Sequence, residues 1–264
     1  CLAWGGSVNL SPADDLLIRI EKALNIDSDG QLIASVLSKK IAAGSTHVLI
    51  DIPVGKTAKI RSKEDAIRLS QLMKDTGEAL GLNVETIITN GTSPIGNGIG
   101  PSLEMRDVLL VLENSFDAPE DLKIKSLNLS ARIIEMSGIT KKGHGLKMAV
   151  DALESGKAMK KLLQICKLQG GFKKLGQAPN EQSILSEETG IVTEIDNRLI
   201  ARLAKLAGAP EAKTAGLYMN KRLGEQVLKG EKLVTIHAES IGQLEYAMDF
   251  YNQNNQMIKI REKK

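Results

Sequence analysis

Ser35 and Lys39 stand four residues apart in the segment ASVLSKK, so on a helix they share one face and could reach one ligand together. A hydroxyl beside an ammonium suits the edge of a nucleobase, whose carbonyl oxygens gain negative charge as a glycosidic bond breaks. The bland reading of the same spacing is a solvated helix face. Asp27 sits at the entry to that helix with Ser28 beside it, a position where a carboxylate caps orphan N–H groups and meets the positive end of the helix dipole. A second group lies in DIPVGKTAKIRS, residues 51 to 62, which follows a β-branched run. Ligands of open α/β sheets collect at the carboxyl ends of strands, so Lys56 and Lys59 are placed to meet an anion there. A third group is TNGTSPIGNGIGPSLE, where Gly91, Gly96, Gly98 and Gly100 precede a helix start. Glycines there let backbone N–H groups approach an anion, and they serve equally as tight turns. No GK[ST] follows, which excludes a P-loop, and the spacing is not a GxGxxG after a first strand. His47, His144 and His237 are scattered without Cys or carboxylate partners at ligand spacing, which argues against a metal site or a Ser-His-Asp triad.

These residues need elements to hold them. The chain has 264 residues, 42% hydrophobic and 25% charged, enough for a large core and more than one module. No apolar run approaches the ~18 residues of a membrane span. The net charge of +3 is spread through alternating Lys and Glu, which speaks against a nucleic-acid-binding or membrane-binding protein. Cys1 and Cys166 have no CxxC spacing and fit a reducing cytoplasm. The run THVLIDIPV (46–54) predicts a strand buried on both faces, and VETIITN (84–90) a second. Between them Ser62-x-x-Asp65 predicts a capped helix that Gly81 stops, giving a right-handed strand, helix, strand unit. Helical spacing covers Leu32 to Leu37, Leu127 to Met136 and Leu146 to Leu168. From Ser186 onward short strands, a helix from Arg198 to Leu206 and a helix capped by Ser240-x-x-Gln243 predict a small α/β module. Two strands cannot cover or pair a parallel sheet alone, so the reading is of a truncated chain.

The opening CLAWGGSVNLSPADD, the segment ASVLSKK, the D-x-x-x-G loop at Asp51, PIGNGIGPSLE, and later IDNRLI and AGAP resemble the C-terminal half of the pyrimidine-nucleoside phosphorylase family. Within it they are similar to the thymidine phosphorylase and AMP phosphorylase branch. The resemblance implies a truncated parallel-sheet α/β domain with part of a helical lobe, plus a small C-terminal α+β barrel-sandwich-like domain. It divides the chain at residues 1–42, 43–180 and 181–264. It implies phosphorolysis of a pyrimidine nucleoside such as thymidine, inorganic phosphate as co-substrate, no cofactor, and a cytoplasmic homodimer. By the same resemblance Arg19, Ser35 and Lys39 hold the base, and Lys59 faces phosphate or the sugar 5′ position. Similarity to AMP phosphorylases makes Asp27 a proton donor to the departing base and leaves a nucleoside 5′-monophosphate as the alternative substrate. The family's phosphate-binding loop is expected upstream of Cys1, so these 264 residues alone are expected to be inactive. A third alternative is a non-catalytic interaction or carrier module, because the stretch around KRLGEQVLKGEKLV resembles biotinyl/lipoyl-type domains with a tip hairpin at Leu217 to Lys221.

Overall fold

The computed structural model describes Leu2 and residues 28–262; Arg19 and Asp27 lie outside the described residues. Helix α1 (Asp29–Ala42) starts where the Ser28 hydroxyl accepts the Gln31 N–H, and it buries Ile33 and Leu37. Strand β1 (His47–Val54) and strand β2 (Asn83–Asn90) pair in parallel, in register from His47 with Asn83 to Val54 with Asn90. Helix α2 (Lys63–Ala79) crosses between them, capped by Ser62 as expected. The period of two along β1 sends Val48 and Ile52 to one side, where Ile33, Leu37, Leu69, Met73, Leu82 and Val84 surround Val48. Leu49 and Asp51 face the other side, against Leu129 and Ile133. That second face is only partly covered, so Leu49 and Asp51 stay half-buried, short of the both-face burial the β-branched run predicts.

The glycine segment after β2 enters a short strand, β3 (Gly98–Ile99), then helix α3 (Pro101–Leu112) with proline at its first turn. Helices α4 (Glu120–Met136), α5 (Gly145–Glu154) and α6 (Lys157–Leu168) follow. Helical spacing predicts one pattern from Leu146 to Leu168. The backbone breaks it at Gly156, whose φ of +71° is left-handed and favours glycine. The apolar stripe of α6 (Met159, Leu162, Cys166) starts on a new phase, with Lys157, Lys160, Lys161 and Gln164 at the positions that would continue the stripe of α5.

The last third contains β4 (Asn180–Leu185), β5 (Gly190–Ile195), α7 (Asn197–Leu206), β6 (Gly216–Met219), β7 (Gln226–Val227), β8 (Lys232–Ala238), α8 (Ile241–Gln253) and β9 (Ile258–Arg261). Its strands form two antiparallel sheets, ordered β3-β6-β8-β4 and β7-β5-β9, and neither closes into a barrel. Val192, Ile200, Leu203, Leu217, Val234, Ile236 and Met257 fill one core beneath them. One strand of the larger sheet, β3, comes from the glycine segment, so backbone hydrogen bonds join the C-terminal module to the region of β1 and β2. The expected tip hairpin at Leu217 to Lys221 is absent. Leu217 is fully buried in β6, and Lys221 donates to the Gln226 carbonyl and pairs with Glu231 at 2.8 Å. A carrier lysine must stand free at a hairpin tip; here Leu217 to Met219 belong to an interior strand and Lys221, just beyond its end, is held by Gln226 and Glu231.

Candidate active-site cleft

A cleft of 720 Å³ opens at the carboxyl ends of β1 and β2. Its walls come from α1 (Leu32, Val36), the loop after β1 (Ala58, Lys59, Ile60), the glycine segment (Gly91 to Ile99) and the first residues of α7 (Asn197, Ile200). The lining is chiefly apolar with a few convergent polar groups, the usual make-up of a small-molecule site.

The loop that carries Lys59 is a tight return. Gly55 donates to the Ile60 carbonyl at 3.1 Å, and Ala58 donates to the Gly55 carbonyl at 3.0 Å. Gly55 also lies against Gly91, so close that a Cβ on Gly55 would sit 2.4 Å from the Gly91 carbonyl oxygen. Gly91 in turn donates to the Val54 carbonyl at 2.8 Å. Two loops at the strand ends are thus packed backbone to backbone, and that contact fixes where Lys59 emerges. Asn197 of α7 ties both from the C-terminal module. Its N–H donates to Thr57 Oγ1 at 3.1 Å, and its Nδ2 donates to the Gly91 carbonyl at 2.8 Å.

Charge on the opposite wall is organised around Asp51. Lys125 Nζ of α4 lies 2.5 Å from Asp51 Oδ2, and the Thr89 hydroxyl donates to Asp51 Oδ1 at 2.6 Å. Deeper in, Asp107 is 1% exposed, and its Oδ2 accepts the Asn97 and Gly98 N–H groups at 2.6 and 2.7 Å. Asp107 Oδ1 and Asn197 Oδ1 are buried without hydrogen-bond donors among the described residues, and both residues line the cleft. At the cleft's edge, Arg222 reaches from the C-terminal module to Asn97 Oδ1 with Nε at 2.9 Å and to Asp121 Oδ1 at 2.6 Å.

Of the residues singled out by sequence, Lys59 lines this cleft. It also borders a smaller polar depression with Ser28, Arg61 and the paired Arg68, Asp29 and Asp65. Ser35 and Lys39 occupy α1 four residues apart and are half-buried, as the helix reading requires. They do not line the cleft; they stand on the flank of the α1 face whose Leu32 and Val36 do. Lys56 is exposed outside it. The histidines remain apart, but register across β4 and β8 places His237 Nδ1 3.1 Å from Glu181 Oε1, a pairing that spacing along the chain could not reveal. Burial pushes the His237 imidazole below its ordinary pKa, against the pull of Glu181, and Arg106 nearby adds to the lowering. No group of three or more His, Cys, Asp or Glu able to hold a metal occurs among the described residues. Nor is any helix among them long and apolar enough to cross a membrane.

Residues 191–257, which include Asn197, match the pyrimidine nucleoside phosphorylase C-terminal domain. Across 262 residues, 99% of this chain, it is 52% identical to a protein of Hahella chejuensis named "Putative thymidine phosphorylase", of which the match covers 52%. The chain belongs to the pyrimidine-nucleoside phosphorylase family, as a C-terminal part. It is also 52% identical to "Putative thymidine phosphorylase 2" of Acidovorax sp. strain JS42, over 99% of this chain and 51% of that protein. A Legionella pneumophila strain Paris protein is 50% identical over 98% of this chain and 50% of its own length. The chain thus spans about half the length of the curated family members it matches.

Three parts of the cleft escaped the sequence reading. Asp107 carried a signal: it stands between Leu103 and Val111 at helical spacing, a charged residue in the buried stripe of α3. Lys125 pairs with Asp51 only because α4 packs on β1, which no local pattern states. Asn197 reads as one more polar residue at a helix start.

Proposed function

We propose that the protein carrying this sequence is a pentosyltransferase that cleaves thymidine with inorganic phosphate, giving thymine and 2-deoxyribose 1-phosphate. The observation that carries the reading is identity near 50% across almost the whole chain to one half of proteins named "Putative thymidine phosphorylase". A phosphate oxygen bonds to the anomeric carbon as the carbon–nitrogen bond breaks, and the bonding pair leaves on the base. The transition state is close to an oxocarbenium ion, so rate comes from holding phosphate in line and neutralising charge on the departing base. In this reading Arg19, Ser35 and Lys39 take the base, Lys59 faces phosphate or the 5′ end of the sugar, and Asp27 is the candidate acid. Phosphate is the co-substrate, no cofactor takes part, and the assembly is a homodimer.

A nucleoside 5′-monophosphate is the second reading. The polar depression beside the cleft favours it: Lys59 and Arg61 border it, while Arg68 there is already paired with Asp29 and Asp65. Steady-state kinetics of Ser35→Ala, Lys39→Ala and Lys59→Ala variants of the full-length protein separates the two. Thymidine phosphorolysis predicts that Lys39→Ala loses ~10²-fold or more in kcat for thymidine, the typical cost of removing a donor that meets developing charge. The monophosphate reading predicts that Lys59→Ala carries the larger loss, read on AMP or CMP.

A further inference from the structure

Thr57 sits at the tip of the return that carries Lys59, two positions before it. The bonds inside that return, from Gly55 to the Ile60 carbonyl and from Ala58 to the Gly55 carbonyl, set its shape. They do not set the direction in which it leans. Two contacts among the described residues bear on that direction. At the base, Gly55 is pressed on Gly91; at the tip, Thr57 Oγ1 accepts the Asn197 N–H at 3.1 Å, across 140 residues of sequence.

The donor at the tip has no partner in its own helix. Asn197 is the first residue of α7, and the leading N–H groups of a helix lack an intrahelical acceptor. Asp196 at the cap takes the Arg198 and Leu199 N–H groups on Oδ1, at 2.9 and 3.1 Å, which leaves the Asn197 N–H to Thr57. Thr57 is half-buried and Lys59 lines the cleft, so a partly sheltered bond at the tip stands beside a cation at the ligand wall.

We propose that Thr57 is a positioning residue for Lys59: its hydroxyl, held by the first N–H of α7, sets where the Lys59 ammonium enters the cleft. The inference rests on the reading of Lys59 as a group that faces phosphate or the 5′ end of the sugar. It gives the C-terminal module a part in the chemistry through one hydrogen bond. Misplacing such a group by ~1 Å is enough to cost up to ~10²-fold in rate.

Steady-state kinetics and crystal structures of the full-length protein test it together. Wild type, Thr57→Val, Thr57→Ser, Lys59→Ala and the double variant Thr57→Val with Lys59→Ala are compared on thymidine, AMP and CMP with phosphate. Thermal melting checks folding, and Thr57→Ala, which also lacks the hydroxyl, replaces Thr57→Val if that protein does not melt cooperatively. Thr57→Val keeps the shape of the side chain and loses the acceptor; it is expected to lower kcat/KM about tenfold, with Lys59 displaced by about 1 Å. Thr57→Ser keeps the hydroxyl and is expected within about twofold of wild type. On the Lys59→Ala background Thr57→Val is expected to cost less than about twofold, because the group it positions is gone. A Thr57 that serves stability alone would cost the same factor on both backgrounds, and that additivity overturns the proposal. So does a Thr57→Val enzyme as active as wild type, or a Thr57→Ser enzyme as impaired as Thr57→Val. Lys59→Ala with wild-type activity removes Lys59 from the reaction and this proposal with it, while phosphorolysis stands. If no substrate is turned over, the proposed reaction falls and the crystal structures decide alone. Lys59 displaced in Thr57→Val but in place in Thr57→Ser then supports the positioning role, and any other pattern overturns it.

Discussion

The buried carboxylate of Asp107 accepts the Gly98 N–H at 2.7 Å, so α3 grips the glycine segment that leads into it. That bond and its neighbour from Asn97 hold the point where the cleft wall turns into β3 and joins the C-terminal sheet. Substituting Asp107→Ala strands two backbone donors in a buried site, and hydrogen bonds to charged acceptors are worth about 1.5–3 kcal/mol each. Asp107→Ala is expected to cost roughly 3 kcal/mol in urea denaturation, and Asp107→Asn, which keeps an acceptor oxygen, about 1 kcal/mol. Equal losses in the two variants would contradict the account.

Gly55 and Gly30 should respond to alanine in opposite directions. A Cβ on Gly55 meets the Gly91 carbonyl oxygen at 2.4 Å, which forces the two strand-end loops apart and displaces Lys59. Overpacking of that kind costs about 1–3 kcal/mol. At Gly30, in the first turn of α1, nothing among the described residues lies within 4 Å of the added Cβ, and alanine should stabilise by up to ~1 kcal/mol. Melting temperatures of the two variants check both signs.

Lys125 and Asp51 form a partly buried pair, with side chains 20% and 24% exposed. Lys125→Met leaves the Asp51 carboxylate facing an apolar side chain, with Thr89 as its remaining donor among the described residues. A loss of about 1–2 kcal/mol is expected, smaller than for a fully buried pair because water still reaches both groups. The double variant Asp51→Asn with Lys125→Met should recover part of that loss, since no unpaired charge remains. A double-mutant cycle showing simple additivity would count against the pairing.

Stability should also fall on mild acidification through His237. Its folded pKa lies below the ordinary value of about 6.5, because burial disfavours the imidazolium more than Glu181 favours it. The unfolded chain therefore takes up the proton first. Stability from this group is full above about pH 6.5, declines as pH falls from there, and levels off below the depressed folded pKa. His237→Gln should flatten the decline, measured as urea midpoints from pH 7.5 to 5. An unchanged slope in the variant would remove His237 as the cause.

What the sequence revealed follows the range of the interactions. The β-branched runs at 46–54 and 84–90 and the Ser62 cap are local, and they appear as β1, β2 and the start of α2. Position at a strand's carboxyl end points equally to Lys56 and Lys59; of the two, Lys59 lines the cleft and Lys56 is exposed outside it. The pairing of β3 with β6, the approach of Lys125 to Asp51 and the two bonds from Asn197 are long-range, and each depends on how separate elements pack. At Gly156 a left-handed backbone ends α5 and the apolar stripe of α6 begins on a new phase, a local signal that one helix over 146–168 passes over.

The most direct measurement is phosphate-dependent base release by the full-length protein, with thymidine, uridine, AMP and CMP assayed in parallel. The account predicts release of thymine from thymidine that requires phosphate and yields 2-deoxyribose 1-phosphate. Release from the monophosphates alone would move the reaction to the second reading. No release from any of the four would contradict the proposed reaction.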